Sequence, residues 1–168
     1  MTDSDVPATF QNQIEQHKKI LYKVCNAYCR DRESREDLAQ EITFQLWRSY
    51  GKFDGRRCTF STWMYRIALN IAISFYRSEG VRTRHVIPGE QFLMESVADT
   101  ERPSDEVRLL YEFIEELDPF SKAFVLLYLD GNTYPEIANI IGLSETNVAT
   151  KISRLKSRMK QEAGTKNT

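Results

Sequence analysis

The chain has 168 residues, 41% hydrophobic and 28% charged, with a formal net charge of −1. That length buries one sizeable core or two small ones, and the proportions exclude a fibrous or wholly disordered protein. No apolar run reaches bilayer-spanning length and the start, MTDSDVPATF, is acidic and polar, so no membrane insertion or signal peptide is expected and the chain is read as cytoplasmic.

Helical periodicity dominates from the N-terminus on. Residues 14–30 place Ile20, Leu21, Val24, Cys25 and Tyr28 at helical spacing and predict one helix. Cys25 and Cys29 are one turn apart, but there is no Cys-x-x-Cys pair, and only His17 and His85 stand by to complete a site. Small buried thiols are expected at Cys25, Cys29 and Cys58, with no metal and no cofactor. Ser34-Arg35-Glu36-Asp37 has the form of a capping box and opens a helix through about Tyr50, with Leu38, Ile42, Leu46 and Trp47 on adjoining turns. Asp37, Gln40, Glu41, Thr43 and Gln45 alternate with these and with Phe44. An acidic, partly apolar face of this kind suits another protein better than DNA.

Gly51 and Asp54-Gly55 mark a loop. A long helix follows from about Thr59 to Ser78, with Trp63, Ile67 and Ile71 expected in the core. Arg66, Asn70 and Arg77 recur at intervals of four and seven and share a stripe, and the preceding loop holds Lys52, Phe53, Arg56 and Arg57. Aromatic rings (Phe60, Trp63, Tyr65, Phe75, Tyr76) interleaved with cations suit unpaired bases, because rings stack on base faces while cations track phosphate.

Between Gly80 and Pro103 the helical pattern dissolves. From Val86 to Val107 there are six acidic residues and one Arg. This predicts an acidic tether at 81–103 between an N-terminal helical domain, 1–80, and a C-terminal one, 104–168. The fold class expected is all-α, as two small helical domains. Helices resume at 104–117, and Pro119 starts another over 120–129.

The segment from Gly131 to Lys160 predicts a helix-turn-helix. Thr133 and Glu136 can cap one another, with Pro135 in a first turn that has orphan donors in any case. Ile137, Ala138, Ile140 and Ile141 form the apolar stripe, Gly142 makes the sharp turn, and Ser144 caps the next helix with Glu145 in its first turn. Val148, Ile152, Leu155 and Met159 line one face of that helix. Thr146, Asn147, Thr150, Lys151, Arg154 and Arg158 fall on the rest. From Ser144 to Thr168 there are six Lys or Arg against two Glu. A near-neutral chain that gathers positive charge on one helix points to DNA phosphate, with base edges in reach of the helix start.

Two strings carry a family resemblance. Asp37-Leu38-Ala39-Gln40-Glu41 with Trp47, and Phe60-Ser61-Thr62-Trp63-Met64-Tyr65-Arg66-Ile67-Ala68 with Asn70, resemble the first conserved domain of extracytoplasmic-function sigma factors. Leu117-Asp118-Pro119 through Arg158 resembles the second. The resemblance implies a factor that binds core RNA polymerase, with Asp37, Gln40, Glu41 and Phe44 against the clamp helices of the largest subunit. It implies that Lys52, Arg56, Arg57, Trp63, Arg66, Asn70 and Arg77 open and hold the −10 element as single strand. Glu145, Thr146, Asn147, Thr150, Lys151, Arg154 and Arg158 would meet the −35 element as duplex, in a domain seated on the flap of the second-largest subunit. The acidic tether would thread towards the active-site cleft and RNA exit channel, and an anti-sigma factor is an expected partner.

No nucleophile–base pair, carboxylate pocket or Gly-rich phosphate loop is legible, so no enzyme is expected. Two other readings fit parts of the chain. One is an operator-binding helix-turn-helix regulator that acts without polymerase. The other is a metal- or redox-sensing interaction module built on Cys25, Cys29 and His17.

Overall fold

A computed structural model of the chain describes residues 5–79 and 104–166. Among the described residues all regular structure is helical. In chain order it comprises α1 (Asp5–Gln16), α2 (Lys18–Tyr28), α3 (Arg32–Ser49), a 3₁₀ turn (Tyr50–Lys52), α4 (Phe60–Glu79), α5 (Asp105–Glu116), α6 (Pro119–Leu129), α7 (Tyr134–Ile141) and α8 (Glu145–Lys166). The chain divides into two compact units, Met1–Ser78 and Glu79–Thr168. The acidic stretch expected to be a tether, 81–103, lies outside the described residues. No helix among those described is long and apolar enough to cross a membrane.

Unit 1 differs from the expectation at its start. The single helix expected over 14–30 is two helices, broken at His17 (φ −113°, ψ 14°), whose N–H reaches the carbonyls of both Gln13 and Ile14. Cys29 stands one helical turn after Cys25, its N–H donating to the Cys25 carbonyl at 3.0 Å, and closes α2 in extended geometry (φ −126°, ψ 136°). The α3 cap is Asp31 rather than Ser34. The Asp31 carboxylate accepts from the Ser34 N–H at 2.9 Å, which leaves Ser34 inside the first turn. Desolvation opposes ionisation there, but the Ser34 hydrogen bonds and the Arg35 charge outweigh it and hold the carboxyl below its usual range.

Arg35 is itself buried and donates to the Asn26 side chain at 3.2 Å, linking the start of α3 to the end of α2. The core of unit 1 is Val24, Leu38, Ile42, Leu46, Met64, Ala68 and Ala72, none of them exposed. Ile67 and Ile71, expected in that core, are only half-buried. Met64, Ala68 and Ala72 are four apart and take the inward stripe, the two alanines leaving room for close helix approach. Ring contacts join His17 to Phe60 (centroids 5.0 Å apart) and Tyr28 to Tyr76 (6.2 Å). The first pair joins the helix starts and the second the helix ends, so α2 lies alongside α4 and runs the same way.

Unit 2 follows its local signals closely. Ser104 caps α5 through the Val107 N–H, and Asp118 caps α6 through the Ser121 N–H at 3.0 Å, with Pro119 in the first turn. The Thr133–Glu136 capping box on α7 is complete, with both reciprocal hydrogen bonds made. Gly142 closes α7 in the left-handed region (φ 82°), a conformation that costs an L-residue roughly 1–2 kcal/mol and glycine almost nothing. Phe124, Leu127, Ile137 and Val148 are fully buried, one or two from each of α6, α7 and α8. α8 runs on to Lys166, whose ammonium meets Glu112 of α5 at 2.9 Å and so fastens the end of α8 to the domain.

Candidate nucleic-acid interfaces

On α8 the buried residues Val148, Ile152 and Leu155 fix which side faces solvent. Thr146, Asn147, Thr150 and Arg154 lie opposite and are exposed, as is Glu145 at the helix start. Ser144 accepts from the Asn147 N–H at 3.2 Å, so the first turn is held while the Asn147 side chain remains outside. A rise of about 1.5 Å per residue places Arg154 about 13 Å beyond Glu145, so the polar residues of the first two turns lead and Arg154 follows.

The other two cations are not equivalent to Arg154. Lys151 is half-buried beside the α6 start, where its charge acts on Asp118. Desolvation of that carboxyl is outweighed by the Ser121 hydrogen bonds and by Lys151, and Asp118 is held below its usual range. Arg158 pairs with Glu162 at 2.8 Å and lies over the Phe113 ring, 5.7 Å from its centre. Its guanidinium is engaged within the unit. Lys156 sits 4.4 Å over the Tyr128 ring, and hydrogen bonding to that tyrosine raises its pKa.

In unit 1 the loop before α4 is built on rings. Phe53 contacts Trp63 (5.1 Å), Phe60 (5.6 Å) and Tyr50 (6.3 Å), and Trp63 also meets Phe60 at 5.3 Å. Trp63 is therefore half-buried at the centre of an aromatic cluster. Asp54 organises the loop itself. It accepts from the Arg56 N–H at 3.0 Å and faces the side chains of Arg56 (3.4 Å) and Arg57 (3.8 Å). Those two arginines are 94% and 87% exposed, so the pairing positions them without removing them from solvent. Asp54 drew notice in the sequence only as a turn residue, since its side-chain role depends on where two later arginines fold. The loop hands over to α4 at Thr59, whose hydroxyl accepts from the Thr62 N–H at 3.3 Å. Along α4, Asn70 and Arg77 are exposed and Arg66 is half-buried on the same stripe, and Lys52 is exposed at the loop entrance.

The third surface is the outer face of α3. Asp37, Gln40, Glu41 and Phe44 follow i, i+3, i+4, i+7 spacing on one exposed stripe, and Gln45 donates to Glu41 at 3.1 Å. Phe44 is 56% exposed. Trp47, expected among the core residues of this helix, is 45% exposed and stands edge-on to Phe10 of α1 at 5.2 Å. Phe10, Ile14, Ala39, Phe44 and Trp47 line a groove of about 1000 Å³ between α1 and α3. The groove escaped the sequence because α1 itself did.

Cys25 and Cys29 are buried and Cys58 is half-buried, and none of the three forms a disulfide. The His17 ring packs on Phe60, with Nδ1 2.8 Å from the Gln13 carbonyl. Among the described residues no group of three His, Cys, Asp or Glu side chains is placed to hold a metal ion.

Comparison with known proteins bears on both units. Residues 13–82 match the Sigma-70 region 2 model and residues 108–159 match the Sigma-70 region 4 model, together more than two thirds of the chain. The chain is similar to the ECF RNA polymerase sigma factor SigX of Bacillus subtilis, with 26% identity over 150 residues, 84% of this chain and 77% of that protein. With SigW of the same organism it shares 28% identity over 165 residues, 91% and 88% of the two chains. Its fold resembles that of the sigma factor RpoE of Bartonella quintana, solved with the anti-sigma factor NepR (TM-score 0.68, 19% identity, 91% of this chain and 95% of that one). It also resembles CnrH, solved with the cytosolic domain of CnrY (TM-score 0.66, 20% identity, 95% and 90%). The chain belongs to the extracytoplasmic-function group of sigma-70 RNA polymerase sigma factors, non-enzymatic subunits that direct promoter recognition and transcription initiation.

Proposed function

We propose a division of labour in which unit 1 docks on polymerase and opens the −10 element while unit 2 anchors the −35 element as duplex. The observation that carries this is the separation of three surfaces of different chemistry on rigid helices. Asp37, Gln40, Glu41 and Phe44 on α3 form an acidic and apolar face suited to the clamp helices of the largest subunit. The ring-braced loop with Lys52, Arg56 and Arg57, and the α4 stripe of Trp63, Arg66, Asn70 and Arg77, suit an unpaired strand. The first two turns of α8, with Thr146, Asn147 and Thr150 ahead of Arg154, suit the major groove. Unit 2 also rests on the flap of the second-largest subunit, and the chain works in the cytoplasm.

An anti-sigma factor is the regulatory partner, consistent with the complexes solved for two proteins of similar fold. Covering the α3 face and its neighbouring groove would block polymerase by occupying the same apolar residues.

The assignment of roles is tested with two variants and two assays. Asp37→Ala is expected to weaken binding to core polymerase and to leave base preference intact. Arg154→Ala is expected to weaken −35 binding by roughly 10-fold, about 1.4 kcal/mol, with core affinity unchanged. Equal loss of core affinity in both variants contradicts the division. Tight, sequence-specific duplex binding by the free chain, without core polymerase, would favour an operator-binding regulator instead.

A further inference from the structure

The loop before α4 carries one charge that its proposed role leaves unused. Residues 42–78 contain six Lys or Arg and a single acid, Asp54. An acid on a surface that meets phosphate opposes binding by its charge. Asp54 nevertheless stands between the arginines rather than away from them. Its Oδ1 accepts from the Arg56 N–H at 3.0 Å and lies 3.4 Å from Arg56 Nε, while its Oδ2 lies 3.8 Å from Arg57 Nε. The Asp54 backbone carbonyl accepts from the Arg57 N–H at 3.1 Å, so the same residue also closes the turn that brings both arginines back to it. On its other side Phe53 fixes the stem of this turn against Trp63 and Phe60.

Exposed ion pairs of this kind add little to stability, so what the carboxylate fixes is direction. Each arginine comes closest through Nε, the donor nearest its stem, and both side chains are otherwise open to solvent. The terminal amino groups of both guanidinium forks are thereby left outward, and such groups are what grips a phosphate. The carboxylate also offsets the mutual repulsion of two guanidinium groups gathered at one turn. They are placed before a strand arrives, and less freedom is lost when it binds. We propose that Asp54 is a positioning residue of the −10 loop. It holds Arg56 and Arg57 with their forks outward, each for a phosphate of the unpaired strand, and the gain in placement exceeds the repulsion that the acid adds. The proposal rests on the reading of this loop as part of the single-strand face.

The test uses holoenzyme assembled from core polymerase and the full chain. Its binding is measured by fluorescence anisotropy on a fork drawn from a promoter that it transcribes, with a single-stranded −10 overhang, across a series of NaCl concentrations. The double variant Arg56→Gln/Arg57→Gln is expected to reduce the slope of log K against log salt by about 1.4, from about 0.7 per single-strand phosphate. Asp54→Ala is expected to weaken fork binding roughly 10-fold. Asp54→Asn, which keeps an acceptor for the Arg56 N–H, should weaken it by less, about 3-fold. In the Arg56→Gln/Arg57→Gln background Asp54→Ala should cost nothing further, because no fork is left to place. Affinity for core polymerase stays unchanged throughout. Tighter fork binding by Asp54→Ala overturns the proposal, since the acid would then act through repulsion alone. So does an equal loss from Asp54→Ala in both backgrounds, which would make Asp54 a support of the loop as a whole. The double Gln variant separates the two readings. If it weakens fork binding while Asp54→Ala is silent, only the role of Asp54 fails, and if it is itself silent the reading of the loop as a strand contact fails.

Discussion

The two units place binding chemistry on helices by different means. In unit 2 the exposed residues of α8 are set by short-range devices: a complete capping box, a left-handed glycine and a serine cap within twelve residues. The outcome is a rigid polar edge, the form that a duplex groove accepts. In unit 1 the candidate face is assembled from separate segments. The loop is braced by Phe53 among Tyr50, Phe60 and Trp63, and its arginines are gathered by Asp54. A loop on an aromatic bed presents pockets rather than an edge, which suits bases already out of their stack. Under the proposed roles, a regular ligand would be met by a regular element and an irregular ligand by an irregular one.

The largest expected effect concerns the independence of the two units. Phe124→Ala removes a fully buried ring from unit 2 and should cost that unit about 3–5 kcal/mol in chemical denaturation. Docking on core polymerase through unit 1 should survive, and loss of both together would remove the basis of the comparison. Next comes the aromatic bed. Phe53→Ala deletes three ring contacts, each worth about 0.5–1.5 kcal/mol, and should abolish permanganate reactivity of the −10 element while −35 binding persists.

Glycines sharpen the contrast further. Gly142→Ala should destabilise unit 2 by roughly 1–2 kcal/mol and weaken −35 binding, because φ is 82° there. Gly51→Ala in unit 1, where no left-handed backbone is required and a Cβ meets nothing within 4 Å, should stay within about 0.5 kcal/mol. The smallest effects are in the caps, where the units should behave alike. Asp31→Ala and Asp118→Ala should each cost about 1 kcal/mol. Both carboxyls are held below their ordinary range, so their contribution is complete above about pH 4 and is lost as pH falls through the depressed value. Asparagine at either position keeps a cap without a titrating group, and should flatten that part of the acid denaturation profile.

The same contrast explains what was legible beforehand. α7, α8 and the turn between them could be read because each signal acts within a few residues of its partner. The exposed stripe on α8 followed from the spacing of Val148, Ile152 and Leu155. In unit 1, periodicity placed Trp47 with Leu46 in the core, but whether it is covered depends on α1, and α1 had no strong apolar pattern to announce it. Ser34 looked like a cap because it stands three residues before Asp37, yet Asp31 stands three before Ser34 and wins the start of α3. Ile67 and Ile71 outweigh Ala68 and Ala72 in hydrophobicity, but close helix approach selects the small residues. Asp54 acts through a loop conformation that no spacing encodes.

The division between two readers of one promoter is tested most directly by run-off transcription with core polymerase on a promoter library, comparing the wild-type chain with Asn70→Ala and Arg154→Ala. Core-dependent initiation is expected, with Asn70→Ala altering base preference at the −10 element alone and Arg154→Ala altering output through the −35 element alone. If both variants shift the same element, or if transcription shows no dependence on this chain, the account is contradicted.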